Sequence, residues 1–170
     1  MINYLYSKMV SSNIIDNTID TARYDIYYLL TKINESNIFG TLYHYINNNP
    51  NEIYKKNNNG ETILFHIIKN IYYFKSDILK KLISLILLKL DDDKINEQNN
   101  DGKTALMFAC DQITHKNGFD IINILLYYGA DVNIRDNNGD TAISILTKYR
   151  DVKNPAVYKA FIMIREYGAD

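Results

Sequence analysis

The stretch Asp120-Ile-Ile-Asn-Ile-Leu-Leu-Tyr-Tyr-Gly-Ala-Asp-Val-Asn-Ile-Arg-Asp-Asn-Asn-Gly-Asp-Thr-Ala142 decides the fold. Ile121, Ile122, Ile124, Leu125 and Leu126 crowd one broad apolar face, which is a helical pattern. Gly129 stops that helix, because glycine accepts positive φ without a Cβ penalty. A short extended piece, Asp131 to Arg135, leads into Asn138-Gly139, a pair that predicts a tight primed turn. Thr141 then caps a new helix, its hydroxyl accepting from a backbone N–H that has no partner within the helix. Helix, glycine stop, hairpin and capped helix together form a joint between two repeated units.

The joint recurs in Asn99-Asn-Asp-Gly-Lys-Thr-Ala-Leu-Met-Phe-Ala109 and in Asn57-Asn-Asn-Gly-Glu-Thr-Ile-Leu-Phe-His66. Its glycines, Gly60, Gly102 and Gly139, are 42 and 37 residues apart, and Thr62, Thr104 and Thr141 keep that spacing. Such a period, with one helix pair and one hairpin per unit, means a solenoid. The run Asp-x-x-Gly-x-Thr-x-Leu, followed by an apolar second helix and Leu-Leu-x-x-Gly-Ala-Asp-Val-Asn, resembles the ankyrin repeat. The likeness is fullest from Asn99 to Asp140 and looser from Asn57 to Gln98 and from Asp136 onward. Where that family places proline after the threonine, this chain has Ile63, Ala105 and Ala142; where it places histidine, Phe65, Met107 and Ser144. The family's local hydrogen bonding in that segment is therefore not carried over. The units also exceed the family's ~33 residues, with the extra length between the helices, at 70–76, 114–119 and 150–155.

The resemblance implies an all-α, ankyrin-type solenoid of about four helix pairs with β-hairpin-like loops. Residues 1–20 are read as a cap, followed by a degenerate repeat (21–56, with helical patterns at 21–34 and 37–49) and repeats 57–98, 99–135 and 136–170. Helices are expected over 61–70, 77–90, 104–112, 119–128, 141–150 and 155–167, with Pro155 at a first turn. Gly168-Ala169-Asp170 repeats Gly129-Ala130-Asp131, so the array is expected either to continue or to end on an exposed stacking face. A monomer is expected unless that face stacks.

Chemistry is scarce. His44, His66 and His115 lie on different elements without metal-ligand spacing, and no metal or cofactor is expected. The glycines are turn and cap residues, not a phosphate cradle, and no nucleophile has a recognisable His/Asp company, so no catalytic residue is assigned. Asp91-Asp92-Asp93 lacks the alternating ligands of a calcium loop and reads as a solvated helix end. Cys110 precludes an intrachain disulfide by being alone and reads as a small core residue.

Nineteen Lys and Arg against twenty Asp and Glu leave a net charge of −1. No global field attracts nucleic acid, so a site on Lys55, Lys56 and Lys69 with nearby tyrosines ranks low. The longest apolar stretch, Leu79 to Leu90, is interrupted by lysines and falls short of the ~20 residues that span a bilayer. The N-terminus is not a secretory signal, and the expected address is cytoplasmic, host cytoplasm for a viral protein, with the nucleus as the other choice. Usage rich in Asn, Ile, Lys and Tyr fits an AT-rich genome, such as that of a large DNA virus or a protist.

The resemblance further implies non-catalytic protein recognition through hairpin tips and the exposed ends of the first helices, along a concave side. Carried onto this sequence, the strip comprises Asn58, Asn59, Glu61, Lys69 and Asn70; then Asn100, Asp101, Lys103, Asp111 and Gln112; then Asn137, Asn138, Asp140, Lys148 and Tyr149. Tyr149 is the expected anchor, tyrosine being enriched at binding hot spots. An alternative reading makes the chain a substrate: Asn133, eight residues after Leu125, resembles the ankyrin asparagine that a host asparaginyl hydroxylase modifies.

Overall fold

Each inner turn of the chain is built by one side chain. Asn57 Oδ1 accepts from the N–H groups of Asn59 and Glu61 at 2.9 and 3.0 Å. Asn99 Oδ1 does the same for Asp101 and Lys103, and Asp136 Oδ1 for Asn138 and Asp140. A short polar side chain thereby saturates two loop N–H groups that would otherwise need water. In the computed structural model, which describes residues 38–169, all three turns share this geometry.

The turn register differs from the sequence expectation. Gly139 N–H donates to Asp136 O at 2.9 Å, and Asp136 N–H to Asp140 O at 2.8 Å. The glycine is thus the last residue of a three-residue loop, at φ +84°, and not the second central residue of a primed turn. The Asp136 carboxylate sets this register by gripping both sides of the tip. Among the described residues the loops close by such pairs without forming strands.

Contacts divide the chain at Glu52 into two units. In the first, helix α1 (Ile38–Asn48) buries Leu42 and Ile46, and Pro50 opens a 3-10 turn, Pro50–Tyr54, whose last two residues belong to the second. The expected cap 1–20 and the helix expected over 21–34 lie outside the described residues.

The second unit holds three helix pairs: α2 (Ile63–Lys69) with α3 (Ser76–Leu87), α4 (Ala105–Asp111) with α5 (Gly118–Tyr127), and α6 (Ala142–Thr147) with α7 (Pro155–Glu166). The shorter helices α2, α4 and α6 pack in one row, the longer α3, α5 and α7 in a second, and each pair joins the rows. Ile63, Ile67, Ala105, Ala109, Cys110, Leu146, Leu79, Ile83, Ile121, Leu125 and Ile164 are fully buried along this two-layer seam. The leucines and isoleucines among them stabilise by about 1.5–3 kcal/mol each when fully buried, so the seam supplies most of the stability.

Helix starts vary from repeat to repeat. Thr104 Oγ1 accepts from Met107 N–H at 3.3 Å, while Thr141 and Ser144 form a reciprocal capping box. Thr62 makes no cap bond, and nothing in the structure explains the difference. Asn154 caps α7, with Pro155 in its first turn. Helix α5 ends in a Schellman motif: Ala130 N–H donates to Leu125 O, Gly129 N–H to Leu126 O, and Gly129 stands at φ +90°. Gly168 and Ala169 repeat it on α7.

The connections between paired helices span 70–75, 112–117 and 148–154, nearly equal lengths. The longer second repeat gains its residues in α3 and in the segment that follows it. Between α4 and α5 the chain folds so tightly that a Cβ on Gly118 would lie 2.4 Å from Gln112 O. No local sequence signal marks Gly118, because the crowding comes from the preceding loop.

The tips themselves interlock. Asn100 N–H donates to Asn59 O, and its carboxamide to Asn58 O, both at 2.9 Å. Asn137 repeats both bonds toward Asp101 O and Asn100 O. A Cβ on Gly102 would therefore sit 2.5 Å from Asn137 Oδ1 and 2.7 Å from its backbone nitrogen, whereas one on Gly139 would meet nothing within 4 Å. Both glycines carry the same φ penalty on substitution. Gly139→Ala is expected to cost about 1 kcal/mol, and Gly102→Ala about 2 kcal/mol more, since it also parts the tips. Urea unfolding of the two variants measures this, and equal losses would show that the interlock contributes nothing.

Candidate interaction surface

The turns place one charged residue at the start of each short helix and one at its end. The starts are Glu61, Lys103 and Asp140; the ends are Lys69, Asp111 and Lys148. Along both rows the sign alternates from repeat to repeat. In the first and third of these repeats, start and end are joined: Lys69 Nζ lies 2.7 Å from Glu61 Oε1, and Lys148 Nζ 3.6 Å from Asp140 Oδ2.

Glu61 is only 4% exposed, and Asn57 Nδ2 also donates to it at 3.1 Å. Burial raises its pKa, but hydrogen bonds from Lys69 and Asn57 and the Lys69 charge outweigh it and hold the carboxyl below the usual range. Glu61 is therefore a fixed internal charge with little surface to offer. Its neighbour Phe108 meets Phe65 edge-on at 5.5 Å between centroids, and the Lys69 and Lys103 ammonium groups stand 5.3 and 5.7 Å from its centroid. Sequence reading missed Phe108, a ring flanked by two cations.

The repeat between them is wired differently. The Tyr149 hydroxyl lies 2.9 Å from Asp111 O and 3.0 Å from Asp111 Oδ1, tying the end of α6 to the end of α4. Burial first, then the hydrogen bond to Asp111 and its charge, push the phenol up to about 12. Tyr149 is half-buried, so the expected anchor spends its hydroxyl inside the chain and presents only part of its ring.

The remaining strip residues divide by what holds them. Asn100 and Asn137 weld adjacent tips, and Asn70 Nδ2 closes the end of α2 on His66 O at 2.8 Å. Asn58, Asn59, Asp101 and Asn138 are exposed and form no side-chain hydrogen bond among the described residues. Gln112 is half-buried at the end of α4. Asn133 is exposed, and its carboxamide donates to Gly168 O at 3.0 Å. Asn96 makes the equivalent bond to Gly129 O one repeat earlier, so this position clamps the end of the longer helix of the next pair.

Of the cations considered for nucleic acid, Lys56 pairs with Glu97 at 3.1 Å and Lys69 with Glu61. Asp91, Asp92 and Asp93 are exposed, and Tyr54 OH approaches Asp91 Oδ2 at 3.2 Å. Among the described residues no group of three or more His, Cys, Asp or Glu is placed to hold a metal. Cys110 is fully buried, and burial, with the adjacent Asp111 charge, pushes its thiol far up, which makes it a poor nucleophile. Among the described residues no helix is long and apolar enough to cross a membrane.

A family model for ankyrin repeats, in three copies, matches residues 29–136. A fowlpox virus (strain NVSL) protein named for its ankyrin repeats is 36% identical over 87 residues, covering 50% of this chain and 19% of that protein. One from Acanthamoeba polyphaga mimivirus is 39% identical over 71 residues, 42% of this chain and 10% of the relative. A third, from Rickettsia felis (strain ATCC VR-1525 / URRWXCal2), is 36% identical over 111 residues, 64% of this chain and 47% of the relative. The matched region thus spans less than half the length of each of these relatives.

The Tyr149 phenol supplies a pH test. Its pKa is raised on folding, so its contribution is complete below the unfolded value near ~10 and is lost as pH rises toward the folded value. Tyr149→Phe is expected to lower stability by about 1 kcal/mol at neutral pH and to remove one phenolate that titrates at about 12 from an ultraviolet absorbance titration of the folded protein. A variant whose titration curve loses a phenolate of ordinary pKa instead would show that the Asp111 contact is not made.

Proposed function

The chain belongs to the ankyrin repeat family, whose repeats are generally protein–protein interaction modules, and from that premise we propose that it is a non-catalytic scaffold recognising a partner protein. The recognition surface in this proposal is the exposed face of the α2–α4–α6 row together with the hairpin tips. The alternation of sign along Lys69, Asp111 and Lys148, and between Lys103 and Asp140 at the helix starts where Glu61 is buried, carries the reading. A row of like charges would favour any polyion of opposite sign, whereas alternating charges reward only a partner with complementary alternation and penalise the rest. Exposed Asn58, Asn59, Asp101 and Asn138 supply adaptable hydrogen bonding beside it, and the interlocked tips limit the ordering entropy lost on binding.

Two relatives are viral proteins, which supports extending the proposal to a host-directed adaptor. The proposed compartment is the cytoplasm or the nucleus, with which a reduced, buried Cys110 is compatible. The proposed repeats are 21–56, 57–98, 99–135 and 136–170.

Exchanging the two charges of the middle repeat, Lys103→Asp with Asp111→Lys, leaves net charge unchanged but makes each row uniform in sign. Affinity capture from host-cell lysate is expected to recover a partner with the native chain and to lose it with the exchanged one, at about tenfold weaker binding or worse. Tyr149→Phe, which removes only the bond to Asp111, separates loss of that bond from loss of the pattern. A partner held equally by native and exchanged chains would rule out the alternating face as its site.

A further inference from the structure

The connections between paired helices carry, beyond the strip residues Asn70, Gln112, Lys148 and Tyr149, side chains with no assigned role. Tyr72, 63% exposed, meets the His115 ring edge-on with centroids 4.6 Å apart, and Tyr73 beside it is 73% exposed. These residues come from the connections after α2 and after α4. The third connection joins them through Tyr149, which holds Asp111 and interacts electrostatically with Tyr72. Exposed Lys116, Arg150 and Lys153 stand on the same two later connections and make no ion pair among the described residues. Against them stand exposed Asp151 and Asp111, the latter already engaged by Tyr149.

We propose that this ridge docks an acidic, extended segment of a partner protein, with an apolar side chain of that segment seated on the Tyr72–His115 rings. It lies at the far end of the short helices from the hairpin tips, and it does not depend on the α2–α4–α6 face being a binding site. Charge complementarity selects the occupant. Three unpaired cations on a chain of net charge −1 create a local positive field that isolated carboxylates can match. A nucleic acid would instead demand a continuous run of cations, because its phosphates follow one another without a break, and here Asp111 and Asp151 interrupt the row. The ridge is also held in shape. His115 Nδ1 accepts from Asn117 N–H at 3.3 Å, Asn154 caps α7, and a Cβ at Gly118 would strike the preceding loop.

The test uses the full chain and a fluorescein-labelled peptide of alternating glutamate and leucine, with a glutamine–leucine peptide of equal length and a labelled single-stranded oligonucleotide as comparisons. Anisotropy at low ionic strength is expected to show binding of the acidic peptide alone, weakening as salt rises. Replacing only exposed charges, in Lys116→Gln/Arg150→Gln/Lys153→Gln, is expected to weaken binding by about tenfold or more. Tyr72→Ala is expected to weaken it separately, and Lys103→Gln, at the opposite end of α4, to leave the triple-glutamine effect in place. Binding that survives the triple glutamine change, equal binding of the neutral peptide, no binding of the acidic peptide, or preferential binding of the oligonucleotide would each overturn the proposal.

Discussion

The structure of the second unit depends on how one hairpin tip is fastened to the next. Each joint uses an asparagine at the second position of the later tip, Asn100 or Asn137, whose backbone and side-chain N–H groups both donate to carbonyls of the earlier tip. The glycine of the earlier tip must lack a side chain for this approach, since its Cβ would overlap the incoming asparagine. Turn and joint are therefore one device. The residue that starts the turn, Asn57, Asn99 or Asp136, shapes the loop, and the residue after it reaches back to the preceding repeat.

Magnitudes separate what stabilises the array from what sets its register. A buried leucine or isoleucine is worth about 1.5–3 kcal/mol, and the seam between the two helix rows has many. A neutral hydrogen bond is worth about 1 kcal/mol net, so the few at each tip cannot compete in total. Apolar contacts are non-directional, however, and tolerate sliding, whereas the paired donors of Asn100 and Asn137 fit a single placement. The seam holds the repeats together and the tips fix how far each is advanced on the last. This division explains why repeats of 42 and 37 residues stack in the same way. The additional residues lie in α3 and the segment after it, away from the short helices and from the turn itself.

Most of this was legible locally. Gly60, Gly102 and Gly139 announced the turns, Thr104 and Thr141 the helix starts, Gly129 a helix stop and Pro155 a first turn, because each acts on backbone within a few residues of itself. Turn type was misread from Asn138-Gly139, since the dipeptide carries no information about the Asp136 carboxylate competing for the same N–H groups. Gly118 and Phe108 were invisible for a different reason: the loop that crowds the one and the two ammonium groups that flank the other are placed by the fold. Tyr149 was legible as an exposed aromatic near a helix end, but its partner Asp111 is one repeat away, and only the register brings them together. Within the candidate strip the duties divide between surface and joint.

Register also decides whether the alternating charges carry meaning. Adjacent packed helices stand about 8–10 Å apart, close to the Debye length of about 8 Å at physiological ionic strength. A partner beyond that distance feels the row Glu61, Lys103 and Asp140, of net charge −1, nearly cancelled by the row Lys69, Asp111 and Lys148, of net charge +1. A partner in contact meets the exposed signs separately, buried Glu61 excepted. On the proposed reading, such a face adds little long-range steering and instead discriminates after encounter, through the lifetime of the complex. That discrimination requires the charges to keep their spacing, and the side chains that keep it are Asn100 and Asn137, which need not touch the partner at all.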